Sequence, residues 1–183
     1  MTKRKVAIFT GNRAEYGLQS PLIKAISSHP DLDYFLLISG AHLEEEFGFT
    51  KEEIDRDGFR VYEEIEISMP EDSLHGTAYA IGAGIVAISK VLAKINPDFL
   101  LVYADRFEAF SAVIAASQMA IPTAHVEGGD VTEGGALDDS VRHAMTKLSH
   151  LHFATNEDSV NRILKLGEES WRVFNIGLPA IDF

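Results

Sequence analysis

Asp105, Glu127 and the pair Asp138–Asp139 are the residues of this 183-residue chain whose types and settings are equipped for chemistry. Asp105 closes the apolar run FLLVYAD (99–105), Glu127 follows IPTAHV (121–126) and precedes Gly128–Gly129, and the aspartate pair follows Gly134–Gly135. Arg13, Arg106, Arg142, His125 and His143 lie near the same segment ends. Carboxylates gathered beside arginines suit proton transfer on a bound anionic substrate, with each acid's pKa set by its neighbours.

Each of these residues also has a plainer reading. Asp105 and Glu108 have the spacing of a capping box in its aspartate form, and one of Asp138 and Asp139 suits a helix N-cap. Arg13 suits a surface position in a strand-to-helix turn, or a fork on phosphate oxygens at a helix N-terminus. His125, two residues before Glu127 on one strand face, suits a hydrogen-bonded core position. Glu127 has no such alternative nearby, because two glycines rather than a helix follow it. The glycine pairs at 128–129 and 134–135 frame a loop flexible enough to close over a ligand.

The elements that must position these residues follow from hydrophobic pattern. Strand-like runs at 5–11, 33–40, 60–67, 98–105, 121–129, 151–156 and 171–177 alternate with helical patterns near 15–28, 43–57, 73–95, 107–119, 139–149 and 157–167. Unbroken alternation predicts an α/β fold with a parallel sheet of about seven strands and helices on both faces. In the order 3-2-1-4-5-6-7, ligands bind at the carboxyl ends of the first and fourth strands, where strand order reverses. The turns GNRAEYG, ADRFE and HVEGGD end the first, fourth and fifth strands.

Composition excludes several classes of function. Hydrophobic residues at 46% and charged residues at 24% describe one globular domain. The absence of cysteine rules out disulfides, thiolate nucleophiles and cysteine-bound zinc, and fits a cytoplasmic setting. A net charge of −12 without a basic tract argues against nucleic acid. MTKRKVAIFTG reads as a first strand rather than a signal peptide, and no apolar stretch is expected to reach the roughly 20 residues that span a membrane. TGNRAEYG lacks the GxGxxG pattern, which disfavours a nicotinamide cofactor. His150 and His152 read as packing residues, so no metal site is expected.

TGNRAEYGLQSPL, SGAHL, DRFEAFSAV, HVEGGDVTEGGALDDSVRHAMTKLSHLHF and NIGLPAID together resemble the hydrolysing UDP-N-acetylglucosamine 2-epimerases, most closely their sialic-acid-pathway branch. The similarity runs in order over essentially the whole chain. It implies the Rossmann-like first domain (1–177) of a two-domain glycosyltransferase-B arrangement, with 178–183 starting the connection to a second domain outside this chain. It assigns Arg13 to a diphosphate contact, Asp105, Glu127 and Asp138 to catalysis, and Arg142 to support of that site; His125 and Asp139 are added as candidate substrate-binding residues. It implies a nucleotide-sugar substrate, elimination to a 2-acetamidoglucal, hydration to an N-acetylmannosamine-type sugar, no cofactor, and a homodimer or homotetramer of the full-length protein. Ala104 stands where glycine is commoner, and Asn12 where threonine is frequent. A glycosyltransferase of the same architecture and a non-catalytic nucleotide-sugar binding module are the competing readings. The sugar and the nucleotide, UDP or GDP, stay open.

Overall fold

The computed structural model describes residues 2–43, 51–132 and 137–182. Seven strands, β1 (Arg4–Thr10), β2 (Leu32–Ser39), β3 (Val61–Ile65), β4 (Phe99–Tyr103), β5 (Thr123–Val126), β6 (Leu151–Ala154) and β7 (Val173–Asn175), form one parallel sheet in the order β3-β2-β1-β4-β5-β6-β7. The helices between them are α1 (Arg13–Ser28), α2 (Lys51–Arg56), α3 (Leu74–Ile95), α4 (Phe107–Gln118), α5 (Leu137–Leu148) and α6 (Glu157–Lys165). This is the architecture and strand order that the alternation predicts. The reversal falls between β1 and β4, so the turns after β1, β4 and β5 share one rim.

The central strands are apolar on both sides because both faces are covered. Ala7, Phe9, Leu100 and Val102 pack with α3 and α4 residues such as Ile88, Leu92 and Val113. Their neighbours Val6, Ile8, Leu101 and Tyr103 pack on the opposite face with Tyr16 and Ile23 of α1 and Ile54 of α2. Successive side chains of a strand point to opposite faces, so a buried strand needs apolar residues at every position. Asn12, Ser73 and Asn156 start α1, α3 and α6 by accepting the N–H groups of Glu15, Gly76 and Ser159.

Two expectations change. Of the helix expected near 43–57, the described part is α2, and residues 44–50 lie outside the described residues. The chain also does contain a helix long and apolar enough to cross a membrane by length and composition: α3 has 22 residues and an 18-residue window of mean hydropathy 1.6. In the fold α3 is the crossover from β3 to β4, lying against α4. Its small residues serve that contact, since a Cβ on Gly84 would stand 2.8 Å from Ser111 Oγ of α4. Glycine here allows close approach within the protein, and the helix's alanine, isoleucine, valine and leucine supply its hydropathy.

Candidate active site

Asp105 stands one residue past a forced bend. Ala104 has φ of +54°, the left-handed region that favours glycine. Two contacts hold it there: its N–H donates to Val126 O at 3.0 Å, and its carbonyl accepts from His125 Nε2 at 2.7 Å. A carbonyl can only accept, so Nε2 carries the proton and Nδ1 accepts from the Thr146 hydroxyl at 3.2 Å. Burial pushes the His125 pKa down to about 4. His125 is therefore not a binding residue. It is fully buried with both nitrogens engaged, and it braces the backbone beneath Asp105.

The capping reading of Asp105 is also corrected. α4 starts at Phe107 with Arg106 at its cap position, where no side chain bonds the helix N–H groups. The Asp105 carboxylate instead accepts a hydrogen bond from Arg142 of α5. The 142 guanidinium also reaches Asp139, at 3.5 Å. Burial raises the Asp105 pKa, and Arg142 opposes that shift. Asp139 accepts the Thr132 N–H at 2.8 Å, which with Arg142 gives it a structural task at the start of α5. Asp138 and Asp139 lie inside the first turn of α5 rather than before it, and the Asp138 side chain is exposed.

Glu127 is the other non-glycine residue of this rim held at positive φ. Its φ is +63°, uncommon for a long side chain, and non-glycine residues held in this region concentrate at functional sites. Its N–H donates to Phe153 O at 2.9 Å, which ties the bend to β6. The half-buried carboxyl has its pKa raised, first by desolvation and then by Asp130. The buried Tyr103 hydroxyl lies near enough to feel Glu127, yet outside hydrogen-bond geometry. Arg142 lowers the pKa of both Asp105 and Glu127, and Asp105 raises that of Glu127, so the three share one neighbourhood.

Gly128 and Gly129 do not act as a hinge. A Cβ on Gly128 would come within 2.9 Å of Thr146 Oγ1, and one on Gly129, at φ +80°, within 2.4 Å of Ser159 O. These glycines let the turn press against α5 and α6. Asp130 fastens it further by accepting from Thr155, Asn156 and Ser159, and Arg162 donates to Gly129 O. Gly134 and Gly135 lie outside the described residues.

Arg13 heads α1 and turns its exposed guanidinium to Glu53 of α2, with Nε–Oε2 at 3.1 Å and Nη2–Oε1 at 2.7 Å. An anion at this helix start would compete with that carboxylate. Behind it lies a group that pattern reading passed over. Glu15 is buried and accepts the Gly11 N–H at 2.8 Å, while its other oxygen has no partner among the described residues. Glu108 is buried beside it and paired with Arg106 at 3.2 Å. Asn12 and Glu15 have capping-box spacing, which was the available signal. His150 accepts the Thr123 N–H, and His152 bonds Glu168, so both are structural.

Burial, joined by repulsion from Glu108, pushes the Glu15 pKa from 4.5 up to about 8, against the Gly11 bond that lowers it. Folding then takes up a proton between those values. The stability this brings is complete below pH 4.5 and is lost as pH rises through about 8. Glu15→Gln keeps an acceptor for Gly11 without a titrating group. Its melting temperature relative to wild type is expected to rise between about pH 5 and pH 9. A constant offset across that range would show that Glu15 stays ionised.

The UDP-N-acetylglucosamine 2-epimerase family pattern matches residues 24–183. The chain is 38% identical over 180 residues to the GDP/UDP-N,N'-diacetylbacillosamine 2-epimerase (hydrolyzing) of Campylobacter jejuni, covering 98% of this chain and 46% of that protein. It is 31% identical over 179 residues to the UDP-N-acetylglucosamine 2-epimerase of Neisseria meningitidis serogroup B, again covering 98% of this chain and 46% of the relative. The crystal structure of UDP-GlcNAc 2-epimerase from Neisseria meningitidis bound to UDP-GlcNAc superposes with a TM-score of 0.86 at 25% identity, over 97% of this chain and 48% of that one. The chain thus spans about half the length of the relatives it matches, and its sheet is one Rossmann-like half of a glycosyltransferase-B type of fold. With the pattern matched over most of its length, the chain belongs to the UDP-N-acetylglucosamine 2-epimerase family.

Proposed function

We propose that this chain is the N-terminal half of a hydrolysing 2-epimerase, which converts a UDP- or GDP-linked 2-acetamido sugar into the free 2-epimeric sugar and the nucleoside diphosphate. The observation that carries the reading is the convergence of Asp105, Glu127 and Arg142 at the carboxyl ends of β4 and β5, with two strained backbones holding the acids there. The C2 hydrogen of such a sugar is weakly acidic, so departure of the nucleotide leads. The C1–O electrons leave with the diphosphate, and positive charge develops at C1 and the ring oxygen. A carboxylate then takes the C2 proton, and the C2–H electrons close the C1=C2 bond of a 2-acetamidoglucal. Water adds its oxygen to C1 and gives up a proton to a carboxylate, while the C1=C2 electrons take a proton from a carboxylic acid at C2 on the other face.

Glu127, with its raised pKa, suits the proton acceptor near neutral pH. Asp105, held against Arg142, suits stabilisation of the developing positive charge. Asp138, exposed at the start of α5, suits handling of the incoming water. Arg13 at the α1 N-terminus suits the diphosphate. Residues of the other half complete the cleft, so the 183-residue chain alone is expected not to turn over. The two relatives named for N,N'-diacetylbacillosamine are 38% and 35% identical, against 31% for the Neisseria N-acetylglucosamine enzyme. A 4-acetamido-6-deoxy sugar nucleotide is therefore the first substrate to test, beside UDP-N-acetylglucosamine.

Isotopes test the route in the full-length protein. Product formed in D₂O is expected to carry deuterium at C2, and H₂¹⁸O is expected to label the released sugar and leave the nucleotide unlabelled. Retention of the original C2 hydrogen would rule out elimination, and labelled nucleotide would indicate cleavage at phosphorus.

A further inference from the structure

On the α1 side of the sheet, Glu15 Oε1, both polar atoms of the Gln19 amide and the Tyr103 hydroxyl are buried with no hydrogen-bond partner among the described residues. A polar group in that state has given up water and gained nothing in exchange, which is rare away from sites of function. Glu15 and Gln19 lie one turn apart on the same face of α1. Tyr103 is only 1% exposed, and its ring belongs to the apolar layer beneath that helix.

Of these groups, Tyr103 is the one placed to reach the acid after β5. It ends β4 and pairs in register with Val126, which ends β5, and both pack in the layer under α1. Glu127 comes next. As one more residue of a strand it would turn its side chain to the opposite face, and its φ of +63° breaks that alternation. Burial raises the pKa of both groups; beyond that, Glu127 raises that of Tyr103 and the Tyr103 hydroxyl lowers that of Glu127, so the two side chains end close together. Asp130 in the same turn, Asp105 after β4 and Arg142 of α5 also act on Glu127, while Asp130 and Glu15 also act on Tyr103. Of the groups around Glu127 only Arg142 and Tyr103 can donate a hydrogen bond, and Arg142 is engaged by Asp105 and Asp139. Hydrogen bonds to catalytic groups are often long in a free enzyme and tighten when substrate engages. We propose that Tyr103 is a positioning residue of the reaction, whose hydroxyl donates to the Glu127 carboxylate and holds it oriented to take the C2 proton. The inference rests on Glu127 being the base.

The pH profile of the full-length protein tests this. Tyr103→Phe removes the hydroxyl and keeps the ring. A donor to the ionised form lowers an acid's pKa, so its loss raises that of Glu127. The acidic limb of kcat is expected to move to higher pH, with kcat near about pH 6 falling about tenfold, KM little changed and the deficit shrinking as pH rises. A merely structural role would lower kcat alike at every pH. Tyr103→3-fluorotyrosine keeps ring and hydroxyl and makes the phenol a stronger donor, so the limb is expected to move to lower pH, a sign that can be read even where Tyr103→Phe folds poorly. Glu15→Gln is the control. Below about pH 8 the Glu15 carboxyl is uncharged, so this exchange is expected to leave the limb in place. A limb that neither change at Tyr103 moves, that both move in one direction, or that Glu15→Gln moves as far overturns the proposal while Glu127→Gln stays impaired. Near-wild-type kcat in Glu127→Gln would instead refute Glu127 as the base, and the role of Tyr103 with it.

Discussion

Glu127→Gln in the full-length protein is expected to lower kcat by about 10²-fold or more while KM changes little. The substitution preserves shape and removes only the group that takes the proton, so the loss falls on the transition state. Asp105→Asn is expected to act in the same direction through lost stabilisation of positive charge. It also leaves the largely buried Arg142 guanidinium without its charged partner, so its stability has to be measured beside its rate. Arg13→Ala is the contrast. Its guanidinium is exposed and paired with Glu53 rather than with the acids, and its loss is expected to raise KM more than it lowers kcat. Near-wild-type kcat in both acid variants would reduce Asp105 and Glu127 to structural partners of Arg142 and of the β5 turn.

Gly129→Ala is expected to destabilise the 183-residue chain by about 2–4 kcal/mol in urea unfolding. Two penalties combine. The residue sits at φ +80°, and its new Cβ would lie 2.4 Å from Ser159 O, a backbone atom that cannot rotate away. Relief requires α6 or the turn itself to move, and Glu127 sits two residues earlier. Gly17→Ala is the control, because this glycine lies within α1 with nothing within 4 Å of its Cβ position. There alanine is expected to stabilise by about 0.5–1 kcal/mol, through helix propensity alone. Equal responses at the two positions would mean that the β5 turn is not packed as described.

Pattern and spacing in the chain determine the sheet, its strand order and the rim at which its turns meet. They do so because hydrophobic periodicity and the rules of parallel crossovers are local or nearly local, and each strand and helix carries its own signature. Asp105, Glu127 and Arg142 were legible for the same reason, as polar residues placed just past apolar runs or at a helix start. The partners of those residues were not legible. Asp105 has the spacing of a cap, and only the arrival of α5 beside β4 gives its carboxylate to Arg142. His125 looks alike as a ligand and as a core residue until the carbonyl of Ala104, 21 residues earlier, takes its proton. The glycines after Glu127 looked like a hinge, whereas α5 and α6 fill the space where their side chains would be. Glu15 looks like an ordinary first-turn acid, and its raised pKa exists only because folding buries it and sets the Glu108 carboxylate beside it. Burial and long-range contact are properties of the assembled layers, so tertiary structure alone decided which of these polar residues gather at the rim and which hold the others in place.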